Sequence, residues 1–149
     1  FFYDLMHKEI PDQLSLPAIA VAIIALISFN PTTATMLNIL IGGGMIFLFF
    51  LLQFLLSKGK WIGGGDLRLG ALMGILLSSG NQFPGWLNGI LGLVIAYLLG
   101  GMISLILMAG KKINRKSTIP FGPFLVIGTL TTIFWGEQIL DWYFNKMLY

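Results

Sequence analysis

Apolar residues run through this chain in five long blocks, each closed by a short polar, Gly or Pro segment. Leu16 to Phe29 is continuous and stops at Asn30-Pro31, because proline disfavours helix in the residue before it. Met36 to Ser57 holds 22 residues, about 33 Å of helix and enough to cross a bilayer. Asp66 to Ser79 is only 14 residues, about 21 Å, so it must begin inside the membrane boundary or be extended by loop. Trp86 to Gly110 crosses comfortably. Pro120 to Gln138 forms the last span, with Pro120 suited to the first turn of a helix, where its missing N–H is not needed. Ahead of them, Phe1 to Met6 reads as the last turns of a preceding hydrophobic helix. The pattern predicts an all-α, polytopic transmembrane bundle: five full spans plus the truncated end of a first helix, folded as one domain over residues 1–149. The aromatic end, Glu137 to Tyr149, reads as an interfacial belt or the fraying end of the last helix.

Composition agrees. The chain is 56% hydrophobic and 10% charged, whereas a soluble domain carries about 25% charged residues. Its mean hydropathy is +0.87, and lipid must cover apolar surface that a fold of this size cannot bury. There is no cysteine and one histidine, His7, so disulfides, Cys-ligated zinc and an HExxH site are excluded. No metal or cofactor is expected, and nothing in the basic residues suggests nucleic acid. Those residues alternate by loop: Lys8, then Lys58 and Lys60, then Lys111, Lys112, Arg115 and Lys116, while Asn30–Thr35 and Ser79–Gly85 are uncharged. The positive-inside rule puts the basic loops in the cytoplasm. Asp4, at the end of the first helix, and Asp66, at the start of the fourth, then share the cytoplasmic side.

Those two aspartates carry the candidate chemistry. A charge at a helix centre in a bilayer costs about 2.5–3.5 kcal/mol on insertion scales, and only six of the 149 residues are acidic. Locally, Asp66 is as consistent with a helix N-cap as with a catalyst. Gly63, Gly64 and Gly65 before it, and the small face of Gly70-Ala71-Leu72-Met73-Gly74 after it, allow another element or an extended substrate to come close. Asp4, near a helix C-terminus, meets the unfavourable end of the dipole; the bland alternative is a solvated boundary residue, the role that Lys8, Glu9 and Asp12 fit. Two carboxylates brought together share a proton near working pH, the acid–base division of the aspartic proteases.

Three segments resemble the type IV prepilin peptidases, a family of GxGD membrane aspartic proteases. Tyr3-Asp4 with Ile10-Pro11-Asp12 and Leu14-Ser15-Leu16-Pro17 is similar to the family's first motif. Gly63-Gly64-Gly65-Asp66-Leu67-Arg68 resembles the GxGD signature, with Arg68 where many members have Lys. Lys116 to Phe124, with Pro120, Gly122 and Pro123, resembles the proline-rich lead-in to the last helix. The resemblance implies a bacterial inner-membrane endopeptidase that removes the basic leader of prepilins or pseudopilins at the cytoplasmic face. It carries the catalytic pair to Asp4 and Asp66, with Gly63, Gly65, Pro11, Pro120, Gly122 and Pro123 as supporting motif residues. Glu9 and Asp12 are candidate attractors for the leader's lysines. Many members also bear an N-terminal methyltransferase region with two CxxC pairs. This chain has no Cys, so the resemblance supports peptidase activity and gives no support to N-methylation. Either the parent is a short peptidase-only member or that part lies before Phe1.

Other readings compete. An ion-coupled transporter or proton channel would use the same intramembrane aspartates, although no inverted repeat is visible. A noncatalytic assembly scaffold would need neither. The presenilin-like proteases also use Tyr-Asp and GxGD motifs, but the short loops and Pro120-Phe121-Gly122-Pro123 point away from them.

Overall fold

The computed structural model describes residues 12–29, 33–60, 62–79, 83–110 and 120–147. They form five α-helices: α1 (Asp12–Phe29), α2 (Thr33–Ser57), α3 (Gly64–Leu76), α4 (Gly85–Ala109) and α5 (Gly122–Trp142). A 3-10 turn, Leu77–Ser79, extends α3, and a π-helical turn, Tyr143–Met147, extends α5. No strand occurs among the described residues. The all-α membrane bundle read from the apolar blocks is what the chain forms.

The five expected spans divide into two kinds. Met36–Ser57, Gly85–Ala109 and Gly122–Lys146 are long and apolar enough to cross a bilayer. Ser15–Phe29 is a shorter apolar helix, and α3 has 13 residues, about 20 Å against a hydrocarbon core of about 30 Å. Several helix bounds also differ from the apolar blocks. α1 starts at Asp12 and carries Pro17 inside it, where the ring removes one backbone hydrogen bond. The aromatic end stays helical to Met147, where Phe83 stacks on Phe144 at 5.7 Å between ring centroids.

The outside of the bundle is apolar. Leu56 and Leu98 are 77% and 67% exposed, and Leu52, Leu105 and Phe134 also stand clear of the protein. An apolar surface of that extent suits lipid, not water.

The short helix α3 is the hub: it lies against α1, α2, α4 and α5. In lipid the hydrophobic effect does not press helices together, so close packing has to hold them. Glycine supplies it. Gly74 of α3 sits on the backbone of Gly42 and Gly43 of α2, so closely that an added Cβ would strike Gly42 carbonyl oxygen and come within 2.9 Å of Gly43 Cα. Next to Gly74, Ile75 packs with Ala22 and Ile39, tying in α1. Phe50 fills the notch over Gly70 and is fully buried. At the far end of α3, Gly85 rests on the backbone of Ser78, whose hydroxyl donates to Ile75 carbonyl oxygen at 2.5 Å. Helices α4 and α5 pair by the same means, with Gly128 against Gly92 and Ala96.

These contacts make a matched prediction. In Gly74→Ala the obstruction is backbone and cannot rotate away, so the helices must separate. That should cost about 1–3 kcal/mol, the usual range for overpacking. Gly44→Ala, on the same helix pair but with nothing within 4 Å of the added carbon, should be neutral or gain up to about 1 kcal/mol of helix propensity. Thermal unfolding of the two proteins in one detergent measures the difference.

Candidate active site

Asp66 is positioned by a tight reversal of the chain. Helix α2 ends with Lys58 at φ +53° and Gly59 at φ +74°, and Gly59 N–H bonds Phe54 carbonyl oxygen at 2.9 Å. With Lys58 N–H on Leu55 carbonyl oxygen at 3.2 Å, this six-residue closure is a Schellman-type stop whose left-handed position is taken by Lys58, with Gly59 following it. Ile62 then plugs into the core beside Phe50 and Phe124. Only a few residues separate α2 from α3, so the two helices run antiparallel and in contact.

The carboxylate stands in the first turn of α3, at its third residue, and not at the N-cap. Gly63 is the N-cap, with ordinary extended angles of φ −77° and ψ 157°. Asp66 Oδ2 accepts the Gly63 backbone N–H at 3.3 Å, and Asp66 N–H donates to Gly63 carbonyl oxygen at 3.1 Å. A capping box is therefore half built: the carboxylate reaches back, but the N-cap glycine has no side chain to reciprocate. The positive end of the helix dipole faces the carboxylate. Helix capping is thus part of what Asp66 does.

Gly63 and Gly64 before it make no close contact among the described residues. A Cβ on Gly63 would meet only Asp66 Oδ2, at 3.8 Å, and one on Gly64 would meet nothing within 4 Å. Gly63 and Gly64 are exposed, and Asp66 and Arg68 are half-buried. Among the described residues, the approach to Asp66 over these glycines is open.

The opposite side of Asp66 is built by three helices. Gly42 faces Gly74 and Phe50 faces Gly70; continued toward the chain reversal, this antiparallel register brings Gln53 level with Asp66. Gln53 accepts a hydrogen bond from Tyr97 Oη of α4 at 2.9 Å, and the Asp66 carboxylate is within electrostatic range of that phenol. Tyr97 packs on Phe121, with ring centroids 4.7 Å apart, and Phe121 lies 6.2 Å from Phe50. The start of α5 is therefore gathered around the start of α3. Gly122 and Pro123 are buried there. Pro123, not Pro120, occupies the first turn of the helix, because α5 begins at Gly122 behind Phe121 as N-cap.

The second and third motif segments thus meet at one end of the bundle. Asp4, Glu9 and Pro11 lie outside the described residues, as do His7, Lys8 and the basic residues 111–116; Asp12 is the first residue of α1. Among the described residues no group of three His, Cys, Asp or Glu could hold a metal ion. The neighbourhood adds two polar side chains that sequence inspection does not single out, Gln53 and Tyr97. They are 44 positions apart, and only the helix register could have joined them.

The sequence model of the type IV leader peptidase family matches residues 1–105, a stretch that includes both Asp4 and Asp66. The chain belongs to the type IV leader peptidase family. Curated relatives extend the match to the rest of the chain. A prepilin leader peptidase/N-methyltransferase of Legionella pneumophila is 33% identical over 95% of this chain and 48% of its own length. Its counterpart in Xanthomonas campestris pv. campestris is 30% identical over 94% and 47%, and that of Aeromonas salmonicida 27% over 99% and 49%. The chain spans about half the length of these leader peptidase relatives. No solved structure gives a significant match.

Because none of the described residues fills the space over Gly63 and Gly64, stability should not require it to be empty. Gly64→Ala should unfold within about 0.5 kcal/mol of the unmodified protein, as surface substitutions do. A loss of several kcal/mol would show that the space is occupied by this chain itself.

Proposed function

We propose that the protein is a membrane aspartic endopeptidase that cleaves the basic leader from prepilins or pseudopilins, with Asp4 and Asp66 as its catalytic pair. The observation that carries this reading is Asp66 itself: a carboxylate on the first turn of the hub helix, approached over open glycines, in a chain of the type IV leader peptidase family. The names of the relatives supply the substrate class.

In this mechanism the two carboxylates share one proton, since like charges at short range cannot both ionise easily. The ionised aspartate takes a proton from water, whose oxygen attacks the scissile carbonyl carbon. The protonated partner gives its proton to the carbonyl oxygen. Collapse of the tetrahedral intermediate breaks the C–N bond: the departing amine takes the proton that the first aspartate removed from water, and an O–H of the gem-diol returns a proton to its partner, restoring the shared-proton pair. The Gly63 and Gly64 surface leaves room for an extended peptide backbone beside Asp66.

Lys58 and Lys60 are exposed in the reversal that leads into α3, and basic loops favour the cytoplasmic side. The proposed site therefore faces the cytoplasm of a bacterial inner membrane, where the basic leader of a prepilin remains while its apolar segment enters the bilayer. Glu9 and Asp12 are proposed to attract that leader. The proton-channel alternative gains nothing from the buried hydroxyls, because Thr129 and Thr132 donate to carbonyls of their own helix at 2.7 Å and 2.9 Å.

Asp→Asn keeps the size of the side chain and removes the proton-transfer group. Asp4→Asn and Asp66→Asn should each lower cleavage of a coexpressed prepilin by at least about 10²-fold, the lower bound for a general acid–base contribution. Processing of the leader is read on a gel, with membrane levels of each protein as control. Full processing by either variant would remove that residue from the mechanism.

A further inference from the structure

Gln53 and Tyr97 form a hydrogen-bonded pair at the level of Asp66 that the mechanism above does not use. Three observations single the pair out. First, it is a polar couple on two largely apolar helices, α2 and α4, both long enough to cross the membrane. An amide there needs partners, since hydrocarbon offers none. Second, it is oriented. Tyr97 is wedged by rings, with Phe49 at 6.1 Å and Phe121 at 4.7 Å, and Tyr97 Oη donates to Gln53 Oε1 at 2.9 Å. Third, that bond uses the acceptor of the amide and leaves its Nε2 donors to other partners. The register set by Gly42 on Gly74 and Phe50 over Gly70 brings Gln53 level with Asp66.

We propose that Gln53, held in orientation by Tyr97, binds the substrate peptide at the Asp66 site by donating its amide N–H to a backbone carbonyl of the extended segment. This rests on the peptidase reading. An extended backbone carries carbonyl acceptors that lose their water on entering the site, and an oriented donor restores the bond. Gln53 is the group that touches substrate; Tyr97 is a positioning residue acting through it. Such an amide would recognise the main chain and not a particular side chain.

The test uses the full chain in detergent or liposomes with a purified prepilin. Four proteins are compared with the unmodified one: Gln53→Leu, Tyr97→Phe, their double variant, and Asp66→Asn. Gln53→Leu removes the donors at similar volume and should raise KM about tenfold or more, with a smaller change in kcat. Tyr97→Phe removes only the hydroxyl and should raise KM by a few-fold. Because Tyr97 acts through Gln53, the double variant should be no worse than Gln53→Leu alone, a non-additivity that distant structural effects do not show. Binding of uncleaved prepilin to Asp66→Asn protein should weaken about tenfold when Gln53→Leu is added. Thermal unfolding of every variant separates loss of binding from loss of fold. Unchanged KM and unchanged binding in Gln53→Leu, or fully additive effects of the two substitutions, would overturn the proposal while an inactive Asp66→Asn left the peptidase reading standing. An active Asp66→Asn protein would overturn both.

Discussion

The backbone of α2 lies directly on the backbone of α3 at Gly42 and Gly74, and the Asp66 end of the molecule depends on that contact. A helix of 13 residues cannot cross the membrane alone, and lipid gives it no hydrophobic reason to stay among its neighbours. Only close packing holds it. With no side chain at the crossing, van der Waals attraction acts between main chains over the whole contact, each atom pair contributing a little and the sum being large. Phe50 over Gly70 repeats the arrangement one turn nearer the carboxylate. Together the two notches fix how far α3 slides along α2, and hence the level at which Asp66 stands relative to Gln53.

The same contact explains why a charge is tolerable there. Asp66 is in the first turn of a short helix, so its carboxylate meets main-chain N–H groups and the positive end of the dipole. A longer helix beginning at the membrane surface would have put this turn in bulk water, with no aromatic neighbours. The short one begins beside Phe121 and Tyr97, whose rings tie α5 and α4 to the same place. Capping and chemistry are then compatible roles for one side chain: the cap bond holds Oδ2 toward Gly63 while the glycines leave the approach clear.

Much of this was legible in the sequence, and the parts that were not share a cause. The apolar blocks gave all five helices, because a helix in lipid needs uninterrupted apolar surface. Gly63 to Asp66 identified the start of α3, although Asp66 stands two residues inside the helix and not at its cap. Proline rules anticipated the lead-in to α5, but Pro123 takes the position expected for Pro120, since Phe121 closes the first turn. The three glycines suggested room for another element or an extended substrate, and among the described residues Gly63 and Gly64 are uncrowded. The small face of Gly70 to Gly74 is crowded as its spacing suggested, whereas the close contacts of Gly85 and Gly128 were not anticipated. Local spacing does not say which face of a glycine-rich helix meets a neighbour. Gln53 and Tyr97 were invisible for the same reason: their bond follows from helix register, a property of two chains of packing contacts and not of either segment.

The central claim is that Asp4 and Asp66 occupy one site. The chain has no native cysteine, so Asp4→Cys and Asp66→Cys can be spin-labelled without background and their separation measured in liposomes by pulsed electron resonance. A shared site predicts a distance distribution dominated by separations below roughly 20 Å, about two helix diameters. A distribution centred well beyond that, with substrate peptide present or absent, would contradict it.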